Sequence, residues 1–445
     1  MFSQRTNWKL EQNRFTQAVE EVRAGGAHVL DLTVSNPTRA GLVYDERAIL
    51  AALASPRALD YDPQSKGLLA AREAVARYYR ERCDQGEGDV ASNVSTKGID
   101  VDPERIVLTT STSEGYSFVF RLLCNAGDEL LVPKPSYPLF EFLADLQDVR
   151  LVPYPLIYDH GWQMDFPSLE RVVTERTRGV VVVHPNNPTG SFVSAGEREL
   201  LNDFCRERGL ALIVDEVFLD YGLDYGLGSS SGAKAPVQEE HNRSAESAAP
   251  PKGVAPNSGV PANNYVGSGQ AASFAGNQDV LTFTLSGLSK IAALPQMKVA
   301  WVVTGGPPEL AAAAIARLEV IADTYLSMNA PVQWALPVLL EQRKSLQRQL
   351  LARVRANLEE LDRRLALQKS CERLCVEGGW YAVLRVPVTR SDEQLAIELV
   401  REKSVLVHPG HFFDFPRDGY LVLSLIATQE EFGDGVGAIL RHLNS

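Results

Sequence analysis

The sequence predicts an α/β protein built on a mostly parallel seven-stranded sheet, with a smaller α+β domain after it. Two observations predict this. From Arg105 onward, short apolar runs alternate with helical stretches, the pattern of βαβ units. Beyond residue 321, a long helix with Leu and Val at helical spacing precedes shorter strands and two further helices, which suits a second, mixed unit.

Taken in order, Leu10, Phe15, Val19 and Val22 make the first segment amphipathic, and HVLDLTV (28–34) reads as a strand before the turn Ser35-Asn36-Pro37-Thr38. Residues 48–53 read as a helix, and YDPQSKG (61–67) as a polar loop opening the helix 68–82. Residues 83–101, rich in Gly and polar side chains, read as a surface excursion. The seven runs are RIVLTT (105–110), DELLVP (128–133), VRLVPY (149–154), GVVVVH (179–184), LALIVD (210–215), VLTFTL (280–285) and VAWVVT (299–304), with helices such as 114–123 and 196–208 between them. After them come helices 309–323 and 331–365, strands near 380–386, 404–410 and 420–425, and helices 392–403 and 430–443.

Composition limits the function classes. The chain has 445 residues, 45% of them hydrophobic, enough for a sizeable core. Forty-four basic and 56 acidic side chains give a net charge of −12, and no basic block points to a nucleic acid or a membrane surface. The five cysteines are scattered, so neither a disulfide framework nor a metal site is expected; Cys371 and Cys375, four apart, read as thiols on a helix. The N-terminal stretch lacks the apolar core of a signal peptide and no run spans a bilayer, which implies the cytoplasm.

In open α/β sheets ligands gather beyond the carboxyl ends of the strands, so the residues just after each run carry the chemistry. After RIVLTT, Ser111-Thr112-Ser113-Glu114 opens a helix, as a capping box, a phosphate cradle, or both. Tyr137, after DELLVP, is either a core aromatic or an exposed ring that stacks on a flat ligand. PNNPTG (185–190) brings two amide side chains to a strand end. Asp215 closes a Leu/Ile/Val run and needs a cation or strong donors to be buried there. Lys290, among Leu, Ala, Ile and Pro, suits an amine kept partly neutral by desolvation; a lysine snorkelling from a buried strand fits the same pattern.

PNNPTG, LALIVDEVF about twenty-five residues on, and SGLSK with Lys298 eight beyond its lysine together resemble the class I/II pyridoxal-phosphate aminotransferases of the aspartate aminotransferase fold, from about Val29 to the C-terminus. The resemblance implies a sheet sandwiched by helices as a large cofactor domain (61–320). It also implies a small domain built from the N-terminal arm (1–60) and from a linking helix and C-terminal segment (321–445). Lys290 would form the Schiff base and shuttle a proton, and Asp215 would pair with the pyridine nitrogen. Asn187 would bond the ring's phenolic oxygen, and Tyr137 would stack on the ring. Ser111, Thr112, Ser113, Ser289 or Ser286, and Lys298 would hold the phosphate. Tyr61 would reach the phosphate of a neighbouring subunit in a homodimer, and Asn36 with Arg39 would border the substrate. The small-molecule partners implied are an amino donor and an oxo acceptor. Other pyridoxal-phosphate chemistry, such as a lyase or decarboxylase, or a non-catalytic dimer, are the alternatives.

Three departures from the family pattern stand out. Lys298 replaces the usual Arg, Phe218 replaces the usual Tyr three after the aspartate, with Tyr221 nearby, and Val422 stands where an arginine ordinarily clamps the substrate carboxylate. Either another cation takes over, with Arg39 and Lys66 nearest by motif position, or the substrate is not an ordinary α-amino acid. His408 and His411 receive no role. Residues 222–278, poor in large apolar side chains, read as a disordered insertion.

Overall fold

The computed structural model describes residues 1–82, 98–223 and 272–445. Its strands are β1 (Leu30–Asp31), β2 (Ile106–Thr109), β3 (Glu129–Lys134), β4 (Arg150–Tyr158), β5 (Trp162–Met164), β6 (Thr177–Val183), β7 (Ala211–Asp215), β8 (Thr282–Gly287), β9 (Ala300–Gly305), β10 (Glu372–Arg373), β11 (Tyr381–Arg385), β12 (Val405–Leu406), β13 (His408–Pro409) and β14 (Tyr420–Ser424). The helices are α1 (Arg14–Ala24), α2 (Glu46–Leu53), α3 (Leu69–Glu81), α4 (Thr112–Leu123), α5 (Leu139–Leu146), α6 (Phe166–Val172), α7 (Ala195–Arg208), α8 (Leu288–Ile291), α9 (Pro308–Tyr325), α10 (Ala330–Glu341), α11 (Arg343–Leu365), α12 (Asp392–Lys403) and α13 (Gln429–Leu443).

All seven expected runs lie in one large sheet, ordered β2-β9-β8-β7-β6-β3-β4-β5. An eighth strand, β5, adds three residues antiparallel to β4, too short for periodicity to reveal. Strands β4, β3, β6, β7 and β8 pair in parallel. Strand β9 runs antiparallel to both neighbours, so β2 and β8 point the same way. Alternation along the strands explains the layering. Val181, Ile213 and Phe283 pack with Phe118, Phe120 and Phe140 of α4 and α5, whereas Val180, Leu212 and Val214 pack with Leu201 and Phe204 of α7. Each fully buried phenylalanine stabilises the sheet by about 2 kcal/mol relative to exposure.

The second sheet, β10-β11-β14-β13, rests on α11 and α13 through Leu350, Val354, Leu358, Phe432 and Ile439. Strand β1 pairs in parallel with β12, which ties the N-terminal segment to the C-terminal one. No helix of the described residues is long and apolar enough to cross a membrane.

The structure corrects several local readings. Residues 331–365 form two helices that meet at Gln342, where the Arg343 guanidinium turns back onto the Leu340 carbonyl (2.9 Å) and across to Glu81 on α3 (2.7 Å). That ion pair is tertiary, so helical periodicity gave no sign of it. Cys371 and Cys375 flank the extended β10, which pairs with β11, and are not helical. Leu10 is exposed and precedes α1, whose N-cap is Asn13. Of the segment expected to be disordered, 224–271 lie outside the described residues, as do 83–97 of the surface excursion. The ends that are described are ordered: Leu223 N–H donates to the Glu377 carbonyl (2.8 Å), and Phe274 is buried beneath the Arg198 guanidinium.

Candidate active site

Strand register brings the expected residues to one edge of the large sheet. Thr109 of β2 pairs with Ala300 of β9, and Ala300 pairs with Gly287 of β8. The residues just beyond those positions, Ser111–Ser113, Lys298 and Ser289, therefore share that edge. Gly287 is required there, since a Cβ would meet Ala300 Cβ and the Val299 carbonyl at 2.8 Å. Along the same edge, Asp215 ends β7 in register with Val183 of β6 and Leu285 of β8, so Asn187 and Lys290 follow on either side of it.

At the start of α4, Ser111 Oγ accepts the Glu114 N–H (3.2 Å), while the Glu114 carboxylate reaches back to the Thr110 N–H (2.7 Å). The cap thus exists, and it uses donors on either side of Thr112 and Ser113. Ser286 is buried and its hydroxyl donates to the Glu216 carbonyl (3.3 Å); Ser289 is half-buried on α8. Lys298 is exposed, with φ of 52°, and Tyr137 is 45% exposed. Burial and the nearby Asp215 charge both push the Tyr137 hydroxyl above its ordinary pKa. Asn187 is buried and its Oδ1 has no hydrogen-bond partner.

Asp215 accepts the Val217 N–H (3.0 Å) and the Tyr116 hydroxyl (3.1 Å). Burial raises its pKa to about 6, against those two donors and the Lys290 charge. Burial lowers Lys290 to about 8, opposed by Asp215. The acid and the amine are thus within electrostatic reach of each other, and each restrains the other's shift. Lys290 Nζ also donates weakly to the Ser35 carbonyl (3.4 Å), which brings the Asn36-Pro37 turn over the amine.

Other expected residues are engaged elsewhere. Lys66 is ion-paired with Glu104, which also holds Arg72, and this removes it as a substitute cation. The Tyr221 hydroxyl donates to the Lys290 carbonyl (2.6 Å) and so serves the backbone. Asn36 Oδ1 caps its own turn through the Thr38 N–H and hydroxyl, leaving Arg39 exposed beside it. Tyr61 is 83% exposed. Val422 is fully buried, paired across β14 with Val383 and His408. His408 is held neutral by burial, which lowers it to about 4.

Sequence reasoning missed Tyr116, Trp380 and Glu216. Tyr116 lies on α4 among residues of core type, and Trp380 opens a run that reads only as a strand; neither carries a local signal. Glu216 follows Asp215 but faces away from it, accepting the Ser273 hydroxyl (2.5 Å) and the Phe274 N–H (2.6 Å). Burial raises it from 4.5 to about 7. A raised acid contributes stability that is present below its unfolded pKa and lost as pH rises through the folded one. Glu216→Gln is therefore expected to gain about 2–3 kcal/mol on wild type between pH 5 and 8, read as urea midpoints at each pH. Parallel pH dependence in the two proteins would refute this.

A family model described as aminotransferase class I and II matches residues 27–432. The chain belongs to that family. Among its relatives, a glutamate-pyruvate aminotransferase, AlaA, of Haemophilus influenzae is 24% identical over 427 residues, covering 94% of this chain and 91% of the relative. An alanine aminotransferase of Mycobacterium bovis is 28% identical over 419 residues, covering 92% and 83%. The solved alanine aminotransferase from Pyrococcus furiosus superposes with a TM-score of 0.80 at 18% identity, over all of both chains. The enzyme nevertheless lacks an arginine at position 422, so carboxylate recognition must come from elsewhere or be dispensed with.

Proposed function

We propose that this aminotransferase works with pyridoxal phosphate and moves an amino group between a small amino donor and an oxo acid. The observation that carries the reading is the convergence of Asp215 and Lys290, each with its pKa moved by burial and partly restored by the other. The residues suit the cofactor. Asp215 has hydrogen-bond donors but remains a desolvated acid that a pyridinium cation would stabilise, the Asn187 amide oxygen is buried without a partner, and Tyr137 is partly exposed. Thr112 and Ser113 N–H groups at the start of α4, with Ser289 and Lys298, would receive the phosphate. When bound, the cofactor supplies an electron sink for the carbanion left at the substrate Cα.

The chain's own residues do the rest. Lys290, which burial lowers to about 8 so that a neutral fraction is present near neutral pH, acts as nucleophile and then carries the Cα proton. Asp215, ionised above about pH 6, stabilises positive charge at the ring nitrogen. The Ser35–Arg39 turn reaches the amine through the Ser35 carbonyl. Arg39 takes the substrate carboxylate in place of a strand arginine. Arg39→Gln is expected to raise KM for an amino acid donor about 10- to 100-fold with little change in kcat, and an unchanged KM would remove Arg39 from the site. We also assign the exposed Tyr61 to the active site of a second subunit, which makes the working unit a homodimer; an active monomer in sedimentation analysis would contradict that.

The test of the reaction is a screen of amino donors, including amines without a carboxylate, against oxo acceptors. Conversion of the cofactor to its amine form with release of an oxo product supports the proposal. Release of ammonia or carbon dioxide without that conversion overturns it.

A further inference from the structure

The Lys290 amine sits against two aromatic faces. Its Nζ lies 5.0 Å from the centre of the Trp380 ring and 5.6 Å from that of Phe218. The rings meet edge to face, 5.2 Å apart at 71°, so their planes stand nearly at right angles around the amine. Both are buried, Trp380 completely. Trp380 also packs edge to face against Tyr221, with centroids 5.0 Å apart. The same Tyr221 donates to the Lys290 carbonyl, while Gln347 holds the Ile291 carbonyl (2.8 Å) and Tyr44 the Ala293 carbonyl (2.8 Å). The lysine backbone and the surfaces its head group rests on are therefore one connected assembly. Gly378, two residues before Trp380, permits the approach: a Cβ there would meet the Phe192 ring at 2.8 Å and the Tyr221 carbonyl at 2.9 Å.

We propose that Trp380 and Phe218 form an aromatic clamp that positions the Lys290 ammonium while it carries the substrate proton. The inference rests on the reading of Lys290 as the proton carrier. A proton carrier in an apolar site needs its charged form stabilised without a neighbour that takes the proton away. A carboxylate at hydrogen-bond distance would hold or accept it, whereas the negative face of an aromatic ring attracts the cation and has no lone pair to accept the proton. Phe218, in place of the tyrosine usual in the family, supplies a ring face and no hydroxyl. The Trp380 indole nitrogen has no hydrogen-bond partner, so the position uses the ring face and not the N–H. Trp380 and Phe218 act through Lys290 and are positioning residues.

The test compares Trp380→Leu and Trp380→Phe in the full-length chain. In cofactor-free protein, the pH midpoint of Lys290 reductive methylation, read on its peptide by mass spectrometry, reports the amine directly. The leucine variant is expected to titrate about half a unit to one unit lower than wild type, and the phenylalanine variant to stay close to wild type. In the loaded enzyme, the leucine variant should lose about tenfold in kcat with KM within twofold. A leucine midpoint equal to or above that of wild type overturns the clamp, as does a phenylalanine variant that shifts as far as leucine. If Trp380→Leu fails to fold, Phe218→Leu decides by the same midpoint. Should the midpoints shift as expected in a protein that transaminates nothing, the clamp stands and the proposed reaction fails; the converse result separates them the other way.

Discussion

Lys290→Ala is expected to lower kcat by about 10⁴-fold or more, because the proposed reaction makes one side chain both nucleophile and proton carrier and both roles vanish together. The cost to the fold should be small. Lys290 extends from a four-residue helix held by its backbone carbonyls, and alanine leaves the bonds from Tyr221, Gln347 and Tyr44 in place. The check has two parts: turnover with the best donor found in the screen, and borohydride trapping of the cofactor on the peptide containing position 290. Wild type should carry the added mass and the variant should not. Turnover within tenfold of wild type would remove Lys290 from the chemistry.

The second large effect is expected at Asp215. Asp215→Asn keeps the size and can keep the Val217 and Tyr116 hydrogen bonds, but it removes the buried negative charge. A loss of about 10²- to 10³-fold in kcat is expected, the range for removing one preorganised electrostatic partner. The pH dependence gives a second readout. Capture of the cofactor aldehyde by wild-type protein should rise as Asp215 ionises near pH 6 and again as Lys290 becomes neutral near pH 8. The asparagine variant should lose the lower step and move the upper one to lower pH, since Asp215 is what raises the amine's pKa against burial. An unchanged lower step would mean that another group titrates there.

Much of this was legible in the chain. The seven apolar runs became strands because each carries its own burial pattern, and the residues after them lie at one edge because parallel strands must end together. Asp215, read as an acid requiring a cation, feels the Lys290 charge, which opposes the rise that desolvation causes. Other assignments failed where local pattern is silent. Strands β5 and β10 are too short to show alternation, and at the Gln342 break Arg343 pairs with a glutamate on another helix, a contact that local pattern cannot show. Lys66, a plausible substitute cation by position, is held by Glu104.

The sequence by itself determined the fold class, the family and the order of the residues at the sheet edge, since those depend on spacing and burial written into contiguous stretches. Only the tertiary structure decided which partner each polar or aromatic side chain takes. Tyr221 serves a carbonyl 69 residues away, and the Lys290 amine rests on a tryptophan in the bend just before β11. Those pairings depend on strand register and on how the two sheets pack, and a buried group takes whichever partner that packing brings within a few ångströms.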